Sequence, residues 1–144
     1  MGASAAVPGL FDLLHAAGAA EGFVEDRLAA VGLSLPKLAA LRRLVEAGDS
    51  LPLGQLAERL SCVKSNVTQL VDRLEADGFV SRTPDAGDRR SRLAVITPAG
   101  RKAFEEGSRI HREAERELFS GLSDTESAAL ADVIGKIERR RHGR

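Results

Sequence analysis

LGQLAERLSCVKSNVTQLVDRLEADGFVSRTPDAGDRRSRLAVITPAG, residues 53–100, changes its hydrophobic period partway along, and that change sets the expected fold. In its first part apolar residues return every three or four positions: Leu53, Leu56, Ala57 and Leu60, then Val67, Leu70, Val71 and Leu74. This spacing predicts two short helices, from about Pro52 to Leu60 and from Lys64 to about Asp77, joined by the turn Ser61-Cys62-Val63. Gly78 follows, free to take the left-handed conformation that closes a helix. The period then shortens. FVSRT (79–83) and SRLAVI (91–96) are short β-branched or apolar runs on either side of PDAGDRR (84–90), which is rich in turn formers. They predict a β-hairpin with a charged, exposed tip.

Working outward, Pro8 suits the first turn of a helix running towards Val31 and ending at Gly32. Ser34 is placed to cap a second helix, with Pro36 in its first turn, a stripe of Leu38, Leu41, Leu44 and Val45, and Gly48 at its end. Downstream, Thr97-Pro98 opens a long helix to about Phe119. Ser123 and Glu126 form a capping box for a last helix striped by Leu130, Val133, Ile134 and Ile137. RRRHGR (139–144) reads as a solvated basic tail.

Composition narrows the function. Hydrophobic residues make up 43 % of the 144, with five Phe and no Trp or Tyr, so the core must be aliphatic. Basic and acidic residues balance at 21 each, which excludes an indiscriminate nucleic-acid coat and leaves only locally segregated charge. Such segregation exists: Phe79 to Arg92 carries Arg82, Arg89, Arg90 and Arg92 against Asp85 and Asp88, while acids gather at Glu105, Glu106, Glu113, Glu115 and Glu117. The start of the chain lacks a basic, then apolar, leader, and no run is long enough to span a bilayer. The lone Cys62 forms no internal disulfide, so a cytoplasmic protein is expected. Three scattered histidines offer no metal-ligand spacing, and no cofactor is implied. Nucleophile elbow, phosphate loop and metal pair are all missing from the sequence, which argues against an enzyme.

Two short helices and a turn have the dimensions of a helix-turn-helix, whose second helix lies in the major groove. Near the start of that second helix stand Lys64, Ser65, Asn66, Thr68, Gln69 and Arg73, side chains able to reach base edges and phosphates. Taken alone, this stripe fits a solvated polar face equally well. The hairpin shifts the balance, because a tip bearing Asp88, Arg89 and Arg90 can place arginine in a narrow minor groove, with Asp88 orienting the arginine two residues on.

These residues together resemble the multiple antibiotic resistance regulator (MarR) family, in which LA-x-x-L…VT-x-L-V-D-x-LE-x-x-G leads into a D-x-x-DRR wing and an LT-x-x-G helix start. The resemblance covers nearly the whole chain. It implies a mainly α fold with a small β-hairpin wing: a winged helix-turn-helix lobe (34–97) joined to a helical dimerisation lobe (1–33 and 98–144). It further implies a homodimer on pseudo-palindromic double-stranded operator DNA, usually a repressor, with Ser65, Asn66, Thr68, Gln69 and Arg73 facing DNA and Arg90 at the wing tip.

There are departures. Val63 stands where the family has a capping Ser, which predicts a recognition helix without its side-chain cap. Gln69 replaces a common basic residue, and Ala86-Gly87 replaces Pro-x in the wing. Cys62 occupies an apolar turn position and is expected to be packing, not an oxidant sensor.

Family members also bind small aromatic or phenolic effectors at the junction of the lobes, for which Phe11, His15, Leu41, Arg42 and His111 are the candidate lining. Two other readings remain open: a constitutive DNA binder without ligand, and a winged-helix protein–protein adaptor.

Overall fold

The computed structural model describes residues 7–60 and 66–143. In chain order its elements are α1 (Leu10–Ala29), α2 (Leu35–Glu46), β1 (Ser50–Pro52), α3 (Leu53–Arg59), α4 (Val67–Ala76), β2 (Val80–Asp85), β3 (Asp88–Ile96), α5 (Pro98–Leu118) and α6 (Asp124–His142). The strands form one antiparallel sheet in the order β1-β3-β2.

The expected aliphatic core is present. Leu28 of α1, Leu41 and Leu44 of α2, Leu56 of α3, and Val71 and Leu74 of α4 have no exposed surface, and Ala94 of β3 closes the sheet side. The stripe expected for α3 is corrected at one position: Ala57 is exposed, while Leu56 and Leu60 point inward. A seven-residue helix has only two turns, so its buried face is narrower than four residues.

Helix ends follow local chemistry. Gly78, at φ +80°, ends α4 as expected: Phe79 N–H donates to Leu74 O and Gly78 N–H to Glu75 O, the paired bonds of a left-handed glycine terminus. Ser123 Oγ accepts from Glu126 N–H while the Glu126 carboxylate accepts from Ser123 N–H, so the expected capping box forms. The carboxyl of Glu126 is held below the usual carboxylate range by its bond from the Ser123 backbone and then by that from the side chain. At α4 the expectation fails. The helix is described from Val67, the expected start at Lys64 lies outside the described residues, and α4 does carry a side-chain cap: Asn66 Oδ1 accepts from Gln69 N–H at 3.3 Å.

Strand β1 was not expected. It pairs Ser50, Leu51 and Pro52 with Val95, Ala94 and Leu93, and its proline is tolerated because β1 is an edge. The hairpin is also longer than expected. Its strands run to Asp85 and from Asp88, leaving Ala86-Gly87 as a two-residue turn.

Helix α5 packs along α1 and α2 and starts against the α4–β2 turn. Thr97 Oγ1 donates to Gly78 O at 2.6 Å and accepts from Gly100 N–H at 3.0 Å, and Thr97 N–H donates to Phe79 O. Gly100 is required here, since a Cβ would lie 2.0 Å from Phe79 O. Further along, Gly107 lets Leu33 and Leu38 reach the backbone of α5. Arg27 joins α1 to α5 through Glu117 at 2.7 Å, and Glu25 accepts from Leu35 N–H at the start of α2. Helix α6 has no buried residue. Among the described residues, no helix is long and apolar enough to cross a membrane.

Candidate nucleic-acid interface

The amphipathic pattern of α4 decides which of its side chains are free. Leu70, Val71 and Leu74 fix one side to the core, leaving Asn66, Thr68, Gln69 and Arg73 exposed. Asn66, Gln69 and Arg73 follow a three-then-four spacing, so they form a single stripe along the helix. That stripe borders a cleft of about 230 Å³ shared with Ser34, Pro36 and Lys37 of the α2 start. Lys37 is held there by Asp77 at 2.7 Å. Thr68 belongs to the adjacent stripe with Asp72 and Glu75. Lys64 and Ser65, expected at this surface, and Cys62 lie outside the described residues.

The wing stands beside that surface. Arg89, Arg90 and Arg92 are exposed on β3, as is Asp88. Asp88 does not act as expected on the arginine side chain: its Oδ1 accepts from the backbone N–H of Arg90 at 2.9 Å. Asp85 accepts likewise from Gly87 N–H. The aspartates therefore tie the tip's backbone together and leave the guanidinium of Arg90 outward. Arg82, counted with the wing's basic residues in the sequence, does not join the exposed tip arginines and binds the Thr68–Asp72 side of α4.

The effector candidates do not share one location. Arg42 and His111 line a cavity of about 540 Å³ between α2 and α5, together with Phe104, Ser108 and Arg112. Arg42 also reaches a second cavity, of about 700 Å³, bounded by Leu14, Gly18 and Leu35. Leu41 is completely buried in the core behind it. Phe11, 84 % exposed, and His15 lie on the open face of α1 and line neither cavity. Ser108 was missed: its Oγ is buried and has no partner among the described residues. A serine inside a polar stretch such as EEGSRIHRE gives no signal of burial; it is buried where α5 packs against α2.

Comparison with known proteins fits this arrangement. The sequence model of the MarR family matches residues 33–91. YkoM of Bacillus subtilis, an uncharacterised HTH-type transcriptional regulator, is 34 % identical over 105 residues, which is 73 % of this chain and 68 % of that protein. The HTH-type transcriptional repressor YetL of B. subtilis is 30 % identical over 118 residues, 81 % of this chain and 71 % of its own. A mutant MarR of E. coli complexed with operator DNA superposes with a TM-score of 0.77 at 22 % identity, covering 89 % of this chain and 92 % of that one. The six helices and three-stranded wing sheet, the matched sequence span and these relatives lead to one assignment: the chain belongs to the MarR family of DNA-binding transcriptional regulators, which are not enzymes.

Proposed function

We propose that the protein works in the cytoplasm as a homodimeric repressor on pseudo-palindromic operator DNA and is released by a small aromatic or phenolic anion. The observation that carries the DNA part is the pairing of two exposed readers: the Asn66–Gln69–Arg73 stripe on α4, and the outward Arg89 and Arg90 of the wing. The first suits the major groove, where Gln69 can bond adenine bidentately. The second suits the minor groove, whose narrow A·T-rich stretches attract arginine. Lobe boundaries of 34–97 for reading and 1–33 with 98–144 for dimerisation complete the proposal, with repression favoured by the likeness to YetL.

These two readers should fail differently in a salt titration of operator affinity. Arg90→Ala is expected to flatten the log–log slope by about two units, because a dimer loses two cations. Gln69→Ala should leave the slope unchanged and relax preference at one position per half-site, by about 1–3 kcal/mol. An Arg90→Ala protein with unaltered slope and affinity would favour the adaptor reading.

For the effector, the α2–α5 cavity supplies Arg42 as counter-charge, the buried Ser108 hydroxyl as a hydrogen-bonding group, and Phe104 as an apolar wall. A phenolic acid there should weaken operator binding by roughly five- to 150-fold, the range typical of coupled sites. Arg42→Ala should abolish that response. A broad screen in which no phenolic acid stabilises the protein or releases DNA would instead establish a constitutive binder.

A further inference from the structure

Arg82 sits on β2, yet its side chain belongs to α4. Its backbone pairs with fully buried Ala94 of β3. From there the guanidinium crosses to the recognition helix, where Nη2 donates to Thr68 O at 3.2 Å and to Asp72 Oδ1 at 2.5 Å. Nη1 lies 4.0 Å from Glu75 Oε1. The side chain is only 19 % exposed, and Nε is buried without an acceptor among the described residues. Arg89, Arg90 and Arg92, by contrast, point to solvent.

Among the described residues, these are the side-chain hydrogen bonds that run from the hairpin strands to α4. The hairpin is otherwise fixed at its base, where Gly78 and Phe79 meet Thr97, and on its β3 side, where β1 pairs with Leu93–Val95. Beyond Leu93 it is a two-stranded ribbon that can swing at its tip, and β2 is its edge without a neighbouring strand. A planar guanidinium bonded at Thr68 and Asp72, one helical turn apart, removes that freedom in a way a lysine ammonium cannot match. The same contact neutralises two carboxylates, Asp72 and Glu75, on a helix that must approach phosphates.

We infer that Arg82 is a positioning residue for DNA recognition, locking the wing to α4 so that the two readers meet the duplex as one body. Ordering the wing before binding removes a penalty otherwise incurred on the DNA. The inference rests on the proposed DNA contact of the wing, and its test separates the two.

Operator affinity is measured for wild type, Arg82→Ala, Arg90→Ala and the double variant, with amide exchange of the DNA-free proteins. Arg82→Ala should bind about tenfold more weakly, and Arg90→Ala should lose at least about threefold less in the Arg82→Ala background than in wild type, since coupled residues are non-additive. Exchange should quicken in β2 and β3 near the tip and stay slow in α2 and α5. If Arg90→Ala weakens wild type and the Arg82→Ala background equally, the locking role is overturned while the wing reading stands. If Arg90→Ala has no effect in wild type, both fall. Should Arg82→Ala fail to fold, Asp72→Asn replaces it in the cycle and should act in the same direction. A rise in affinity on Asp72→Asn would mean that a freed Arg82 contacts DNA, and would overturn the inference.

Discussion

The winged-helix core and the terminal helices obey opposite rules. Between α2 and β3, among the described residues, the large apolar side chains are at least partly covered, and Leu41, Leu44, Leu56, Val71 and Leu74 are fully buried. In α6 the stripe of Leu130, Val133, Ile134 and Ile137 is between 38 % and 50 % exposed, and at the start of α1 Leu10 and Phe11 reach 67 % and 84 %. An apolar stripe is present in both regions, so a stripe reports that a face wants burial without saying what buries it. One half of the molecule is completed by its own chain. The other carries an uncovered apolar surface, which the proposed homodimer would bury against a second copy.

The most severe way to break this contrast is to charge the open stripe. Val133→Asp combined with Ile137→Asp should destabilise the dimer by several kcal/mol, since each carboxylate would be stranded in an apolar interface. Light scattering over a dilution series should show dissociation or unfolding at concentrations where the wild type stays dimeric. A folded wild-type monomer at micromolar concentration would remove the proposed partner from the explanation.

A smaller effect is expected inside the closed half. Gly100→Ala forces a Cβ against Phe79 O and Ile96 Cγ1, so α5 must shift at its first turn. Overpacking of this kind costs about 1–3 kcal/mol. Denaturant unfolding should register that loss, while the dimer dissociation constant stays near wild type. A large change in dissociation would mean that the two regions are not energetically separate.

The smallest effect sits at the start of α6. Ser123→Ala should cost about 1 kcal/mol by removing the cap to Glu126 N–H. Glu126 adds a pH signature. Because its folded carboxyl titrates below the usual range, its contribution is present above that range and fades as pH falls through the lowered value. Melting of wild type and Glu126→Gln should therefore differ near neutrality and converge in acid. Equal melting temperatures at every pH would show the box to be idle.

Local signals explain what the sequence made legible. Gly78 closing α4, Thr97 opening α5 and the Ser123–Glu126 box each depend on residues within a few positions, and each was readable. The hairpin was readable too, because its period differs from that of the helices around it. Strand β1 was not, since three residues ending in proline carry no period and exist through pairing with Leu93–Val95. The candidate site divides in the same manner. Exposure of Gln69, Arg73 and Arg90 follows from local pattern, whereas the turn of Arg82 onto Asp72 depends on how β2 lies across α4. Asp88 belongs with the second group: sequence shows an acid near an arginine, and only the turn geometry makes the backbone amide its partner.

The joint at Gly100 gives the molecule a lever. The end of the recognition helix is bolted through Gly78, Phe79 and Thr97 to one end of α5, a rod of 21 residues and about 30 Å. His111 and Ser108 stand some way along that rod, so a ligand between α2 and α5 would push on its shaft. Pivoting near His111, about 16 Å from the joint, a tilt of about 5° would carry the joint roughly 1.4 Å. In the proposed dimer both rods would tilt, changing the gap between reading heads that must match a half-site repeat of about 34 Å. A glycine that admits no side chain thus keeps rod and reading head in direct backbone contact, so a tilt of one would be passed to the other.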